Sequence, residues 1–180
     1  MAERSFSQEK NFKEYFDRMM KWEGGYSNNS NDPGGETIYG ITKKNHPEVF
    51  NKVITAIRNR QDPWPIVMDF YYKEYWLPYA KFFTDYKYDP ILFEIMEIAM
   101  NMGKNMAIRI VQISCNIFDQ ECKVDSIFGE KTAKACMLAY NKYGEPFINC
   151  INILQGMRYF TLALKNDNLY TFLRGWMGRT

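Results

Sequence analysis

Histidine is almost missing from this 180-residue sequence, and His46 is the only one. A Ser-His-Asp triad or a two-histidine zinc site is therefore difficult to build, and any acid–base chemistry falls to carboxylates. Cysteine is sparse too: Cys115, Cys122, Cys136 and Cys150 show no C-x-x-C spacing and sit among apolar neighbours, the pattern of buried thiols. No cofactor and no metal site are expected from such a set. Long uncharged runs are also lacking. The stretch around Phe147 to Met157 is far too short to span a bilayer, so no membrane insertion is expected. An excess of one charge is absent as well. The net charge is +2, with 13 basic and 12 acidic residues before Asp89 and 10 and 9 from there on, so neither half has the charge of a nucleic-acid binder. The opening MAERSFSQEKNFKEYF carries charges throughout, which predicts no secretory leader and synthesis ending in the cytosol.

What is present is a core. Hydrophobic residues make up 46% and aromatics 17%, which excludes disorder and supports one compact body with two lobes. Only residues 22 to 42, WEGGYSNNSNDPGGETIYGIT, resist explanation by packing. Five glycines, a proline and short polar side chains follow a helical pattern, and Glu23 stands at the junction. Phe12, Tyr15, Phe16, Met19 and Met20 fall on one helical face, with Ser7 as a cap and the stop at Gly24-Gly25. Glu23 lies eleven residues after Phe12 and seven after Phe16, nearly in phase with both. An apolar setting and a helix C-terminus both disfavour its ionised form, and a carboxylic acid that stays protonated is what glycosidic cleavage requires. A surface Glu at a frayed helix end is the competing interpretation.

Asp32-Pro33-Gly34-Gly35 has the composition of a tight turn, and Thr37 to Thr42 suits a short extended piece or small hairpin. Pro47 opens a helix with Val49, Phe50, Val53, Ile54 and Ile57 inward, and Asp62-Pro63 opens another that carries Ile66, Val67, Phe70, Tyr71 and Tyr75-Trp76. Tyr71, Tyr72, Tyr75 and Trp76 form either core or a wall for sugar rings. Asp89-Pro90 restarts a helix after a broken aromatic stretch, which puts a boundary near residue 88. Helical patterns follow to Gly103, then through Ala107 to Ser114, from Glu130 to Tyr143, from Pro146 to about Leu164, and around Leu169, Phe172, Leu173 and Trp176. The expected fold is all-α with two helical lobes and at most a small β-hairpin.

With these residues in view, the chain resembles the glycoside hydrolase family 108 muramidases, which include phage endolysins and bacterial secretion-associated enzymes. Its E-G-G-Y at Glu23 to Tyr26, and its D-P-G-G-x-T-x-Y-G-I-T at Asp32 to Thr42, match that family's N-terminal signature. Tyr75-Trp76 matches the family's aromatic segment, and Ala99 to Gly103, with Asn101, its A-x-N-x-G. The C-terminal half is similar to the predicted peptidoglycan-binding domain that accompanies this unit, through Gln112, the turn from Asp125 to Thr132 and a final G-W-x-x-R. Ser126 replaces the turn's second-position glycine, and Glu97 stands where Asp is usual.

The resemblance implies a lysozyme-like fold, a catalytic domain over 1–88 and a helical peptidoglycan-binding domain over 89–180. It implies Glu23 as the catalytic acid. The spacing Glu23, Asp32, Thr37 is also similar to the Glu, Asp, Thr constellation of phage-type lysozymes, with the threonine one residue closer, and that analogy implies Asp32 as stabiliser or water-orienting group and Thr37 as a water-positioning residue. An Asx-turn is the plainer role for Asp32, and Glu36 is a further carboxylate of solvated character. Tyr26, Tyr39, Tyr75, Trp76, Asn101 and Asp125 are the implied substrate contacts. Peptidoglycan glycan strands are the implied partner, in the periplasm or cell wall, reached by a holin or an export route. A lytic transglycosylase and a non-catalytic wall- or secretion-partner-binding module are the alternatives.

Overall fold

The computed structural model describes residues 6–21, 25–28 and 35–165, together with 169, 170, 173, 175 and 178. These divide into two compact units, 1–86 and 87–180.

The first unit begins with α1 (Phe6–Met20), whose apolar stripe buries Phe12, Phe16 and Met19. The helix starts one residue ahead of Ser7, so Ser7 lies within it and is not its cap. Lys21 is in a turn, so the helix closes short of the expected stop at Gly24. Three short strands follow, β1 (Tyr26–Ser27), β2 (Thr37–Ile38) and β3 (Ile41–Thr42), in an antiparallel meander. The sheet is thus one strand larger than a hairpin, because Tyr26 pairs with Ile38 and Ser27 with Thr37. Between β2 and β3 the two-residue loop Tyr39-Gly40 has φ of 47° and 75°. Two successive positive φ values are the signature of a type I′ turn, whose twist suits a hairpin. Glycine adopts this freely, whereas a tyrosine there needs support. Support comes from the Tyr71 hydroxyl, which donates to the Tyr39 carbonyl at 2.8 Å.

α2 (Pro47–Arg58) buries Phe50, Val53 and Ala56. Ile57, expected on this face, is exposed, since Ala56 takes the inward place three residues after Val53. A long helix then runs without break as α3 (Trp64–Tyr71), a π-helical segment (Tyr72–Trp76) and α4 (Leu77–Ala80). Asp62 starts it by accepting the Trp64 N–H at 3.0 Å. The wide π turn has a local cause in Pro78, which lacks the N–H that residue 74 would receive and crowds that carbonyl. The π turn directs Trp76 inward, where it has 0% exposure and packs on Phe12 and Tyr15 at ring distances of 5.4 and 5.8 Å.

The second unit is a helical cluster of α5 (Asp89–Met102), α6 (Lys104–Ile117), α7 (Glu130–Tyr143) and α8 (Glu145–Ala163). Every residue from Ile91 to Ala99 is buried, so α5 is the central helix. Gly103, at φ 86°, makes the reversal into α6, a conformation that a side chain would strain. Cys115, Cys122 and Cys136 are buried thiols and Cys150 is half-buried. The expected helix around Leu169 to Trp176 falls largely outside the described residues.

Gln112 organises the turn between α6 and α7. Its Oε1 accepts the N–H groups of Asp125 and Ser126 at 3.0 and 2.9 Å, and its Nε2 donates to Asp125 Oδ1 at 2.9 Å and to the Ile127 carbonyl at 3.1 Å. The side chain is buried, so each bond replaces one that water would have made. Gln112→Met keeps the shape but strands these partners, at about 1–3 kcal/mol per buried group left unmet. Urea unfolding of the full chain should show a loss of at least about 2 kcal/mol, and an unchanged midpoint would contradict the assignment. Ser126 sits at φ 64°, in the left-handed region where its Cβ is penalised. Ser126→Gly should therefore raise stability by about 0.5–1 kcal/mol in the same measurement, the relief of strain exceeding the entropy lost.

Candidate active site and wall-directed region

Glu23 and Asp32 lie outside the described residues. What the structure gives is the frame on either side of them. Before Glu23 stands α1, ending at Met20, with Lys21 in the turn that follows. After it stands β1, and after Asp32 the hairpin with Thr37, whose hydroxyl donates to the Gly35 carbonyl at 3.2 Å. Thr37 is half-buried.

Across this sheet a polar cluster has formed that the separate residues did not announce. Glu36 accepts the Tyr26 hydroxyl on Oε1 at 2.9 Å and the Lys43 ammonium on Oε2 at 2.6 Å. Glu36 and Lys43 flank the paired residues Thr37 and Thr42, and the Lys43 N–H bonds the Glu36 carbonyl at 2.9 Å. The hydrogen bonds from Lys43 and Tyr26 lower the Glu36 pKa, while the same carboxylate raises that of the Tyr26 phenol. Glu36 is thus a fastened, ionised carboxylate and not the freely solvated group expected. It is the wrong protonation state for a general acid. The signal that could have found it is the register: once a hairpin spans 37–42, residues 36 and 43 face each other.

Tyr39 places its ring 4.9 Å from that of Trp64, which is 40% exposed. Together they make an aromatic ledge of the kind that takes the C–H face of a pyranose. Trp64 was not singled out from the sequence, because nothing local marks it as the partner of residue 39. Beside it, a groove of about 510 Å³ is lined by Phe16, Met20, Lys21, Asp62, Trp64 and Met68 among others, so its wall includes the last turn of α1 and the residue next before the undescribed segment.

The aromatic segment itself divides. Tyr75 is half-buried against Phe70 and Tyr71, and burial raises its phenol pKa. Trp76 is enclosed on all sides, so its ring offers no face to a sugar. The stacking role expected of it is corrected to a core role, forced by the π turn that precedes it.

In the second unit, Asn101 is half-buried and its amide donates to the Glu97 carbonyl at 2.9 Å. Glu97 is buried and its Oε2 accepts from Gln155 at 3.4 Å. Asp125 Oδ1 accepts from Gln112 and from the Ile127 N–H at 3.0 Å, bonds that lower its pKa. That oxygen is committed to the turn, which makes Asp125 first a turn-holding residue. Among the described residues no group of three metal-ligating side chains comes together, and no helix is long and apolar enough to cross a membrane.

Comparison with known proteins bears on both units. Residues 16–103 match the model described as Glycosyl hydrolase 108, and residues 106–180 match the one described as Predicted Peptidoglycan domain. Together they define a peptidoglycan hydrolase, a glycoside hydrolase directed at the cell wall. The chain thus combines a glycosyl hydrolase 108 domain over 16–103 with a predicted peptidoglycan domain over 106–180. Among solved structures, SagA of Brucella abortus is similar over 95% of this chain and 94% of its own, at a TM-score of 0.57 and 19% identity, a likeness of fold. No curated protein matches the sequence.

The Glu36 cluster can be tested by titration. Lys43→Met and Tyr26→Phe should each raise the Glu36 carboxyl pKa toward the ordinary range, as read by NMR of the side-chain carboxyl. A depressed folded-state pKa gives a contribution present above the unfolded value and lost as pH falls through the folded one. The stability gap between wild type and Lys43→Met should therefore narrow on acidification below the ordinary Glu range. A gap that stayed constant there would contradict the pairing.

Proposed function

We propose that this protein is an N-acetylmuramidase that cleaves the β-1,4 bond between N-acetylmuramic acid and N-acetylglucosamine, with Glu23 as general acid. The observation that carries the reading is the E-G-G-Y and D-P-G-G-x-T-x-Y-G-I-T pair, with Glu23 as its one in-phase carboxylate, lying inside the span matched to the hydrolase family. Asp32 stabilises the oxocarbenium-like transition state or orients water, and Thr37 positions that water. Tyr26, Tyr39, Tyr75 and Asn101 contact the glycan, with Trp64 added beside Tyr39. Asp125 contributes by holding the turn of the second unit.

Three features support this assignment. With His46 the single histidine, carboxylates are the side chains best suited to acid–base work on a glycosidic bond. Glu36 is held ionised by Lys43 and Tyr26, which leaves the acid role to a different carboxylate. The half-exposed Tyr39 and Trp64 rings give a surface chemically suited to sugar, close in sequence to the motif. The protein reaches the wall through a holin or a dedicated export route and serves in lysis or in secretion. The domain over 1–88 carries the chemistry and that over 89–180 the hold on the wall.

Incubation with purified sacculi should release new reducing ends, and mass spectrometry of the muropeptides should find no 1,6-anhydro termini. Anhydro termini would replace the reading with a lytic transglycosylase. Glu23→Gln keeps the shape but cannot deliver a proton, so turnover should fall by at least about 100-fold while the melting curve stays near that of wild type. Near-normal turnover in that folded variant would sink the assignment of Glu23. A wild type that bound sacculi but released nothing would favour a binding module.

A further inference from the structure

The second unit holds a groove that no step of glycan cleavage uses. It has a volume of about 1030 Å³ and lies between the segment Gln120–Ile127 and the outer face of α7. Lys131, Lys134 and Leu138 stand at three- and four-residue spacing on that face, so they line one side together. Lys123 and Glu121 come from the opposite side, with Ile127 at the end of the turn. No aromatic residue is among those lining it, which leaves no flat ring for a sugar to stack on.

Its charges are arranged for a ligand carrying both signs. Among the described residues Lys131 and Lys134 are exposed and engage in no ion pair, and Lys123 approaches Asp125 only to 3.7 Å with 87% of its side chain exposed. Asp125 has spent its other oxygen on Gln112 and Ile127, and so partly neutralises Lys123 without filling the groove. Glu121 and Glu130 supply negative charge at the rim. Ile127 and Leu138 are 68% and 48% exposed and add aliphatic surface beside the three lysines. The three lysines, two glutamates and two aliphatic side chains call for a short peptide with several carboxylates, a free amine and small methyl side chains.

We infer that this groove binds the free peptide stem of peptidoglycan, with Lys123, Lys131 and Lys134 taking its carboxylates and Ile127 and Leu138 its alanine methyls. A stem that is not cross-linked carries a glutamyl carboxylate, a diacid bearing a free amine, and a terminal carboxylate, which matches the groove in sign and number. In a cross-link the acceptor stem has spent its amine in an amide bond and loses the partner for Glu121 and Glu130, while the donor stem has spent its terminal carboxylate and loses a partner for the lysines. The second unit thereby selects wall that is not cross-linked. The inference rests on the wall-directed reading of this unit, and it stands apart from the identity of the cleaved bond.

The test uses the full chain and the soluble tetrapeptide L-Ala–γ-D-Glu–meso-diaminopimelate–D-Ala, followed by calorimetry and by amide NMR shifts. Binding should shift resonances of residues 120–138, weaken with added salt, and fall at least tenfold in Lys131→Glu/Lys134→Glu. Lys131→Gln/Lys134→Gln, which removes charge without reversing it, should lie between the two. Both lysines are exposed, and a melting curve checks that each variant is folded. Amidating the peptide carboxylates should abolish binding. Equal affinity in the charge-reversed variant, or shifts in the groove caused by a peptide-free chitooligosaccharide and not by the tetrapeptide, would overturn the inference. Wild type that binds the tetrapeptide here but cleaves no sacculi defeats the hydrolase reading alone. Wild type that cleaves sacculi but leaves residues 120–138 unmoved by the tetrapeptide defeats the groove alone.

Discussion

The buried carboxamide of Gln112 is the bond-maker on which the second unit's irregular segment depends. A loop between two helices has backbone N–H and C=O groups that no helix satisfies, and here three successive residues, Asp125, Ser126 and Ile127, are answered by one side chain from α6. That arrangement fixes the entry to α7 and with it the angle at which Lys131 and Lys134 stand over the groove. The first unit uses the same device once. The Tyr71 hydroxyl meets the carbonyl of Tyr39 and so fastens a strained hairpin turn to the aromatic helix. In both cases a polar atom buried in a helix holds down a loop that carries surface chemistry, and the loop tolerates a left-handed non-glycine residue because it is held.

Most of the helical frame was readable from periodicity and punctuation. Pro47, Pro90, Gly103 and Pro146 mark helix ends because each removes or frees a backbone option, and those effects act locally. What stayed hidden depends on partners distant in sequence. Ile57 and Ala56 compete for one inward position, and only the packing of α2 decides between them. Trp76 reads first as core, with a sugar platform as the alternative, and its full burial fits the core reading. Glu36 looks solvated until the hairpin register sets Lys43 opposite it.

The candidate site divides along the same line. Glu23 could be proposed from the sequence, since a carboxylate following an apolar helix and preceding a glycine-rich loop is uncommon for reasons of packing alone. Surroundings were not, because the ionisation state of a carboxylate belongs to its neighbours. Glu36 illustrates the point: an ammonium and a phenol hold it ionised, and neither is adjacent in sequence. The turn at Asp125 is the converse. Its spacing is legible, but the spacing says nothing of Gln112's claim on the carboxylate oxygen, which makes the residue a support before it can be a contact.

The limits of the two family matches and the limits of packing do not coincide, and the difference is informative. The hydrolase match extends to residue 103, whereas the second packed unit begins at residue 87, so α5 belongs to the first by sequence and to the second by its contacts with α6 and α8. A helix buried along its whole length from Ile91 to Ala99 cannot be removed from the second unit without exposing the surface it covers to water. Asn101, which the family motif assigns to the hydrolase, is carried on this helix and bonded to Glu97 within it. Tyr86 to Pro90 has none of the Gly/Ser composition of a flexible tether. The sequence limit of the hydrolase match thus falls at the end of α5, whereas the packing limit falls before its start.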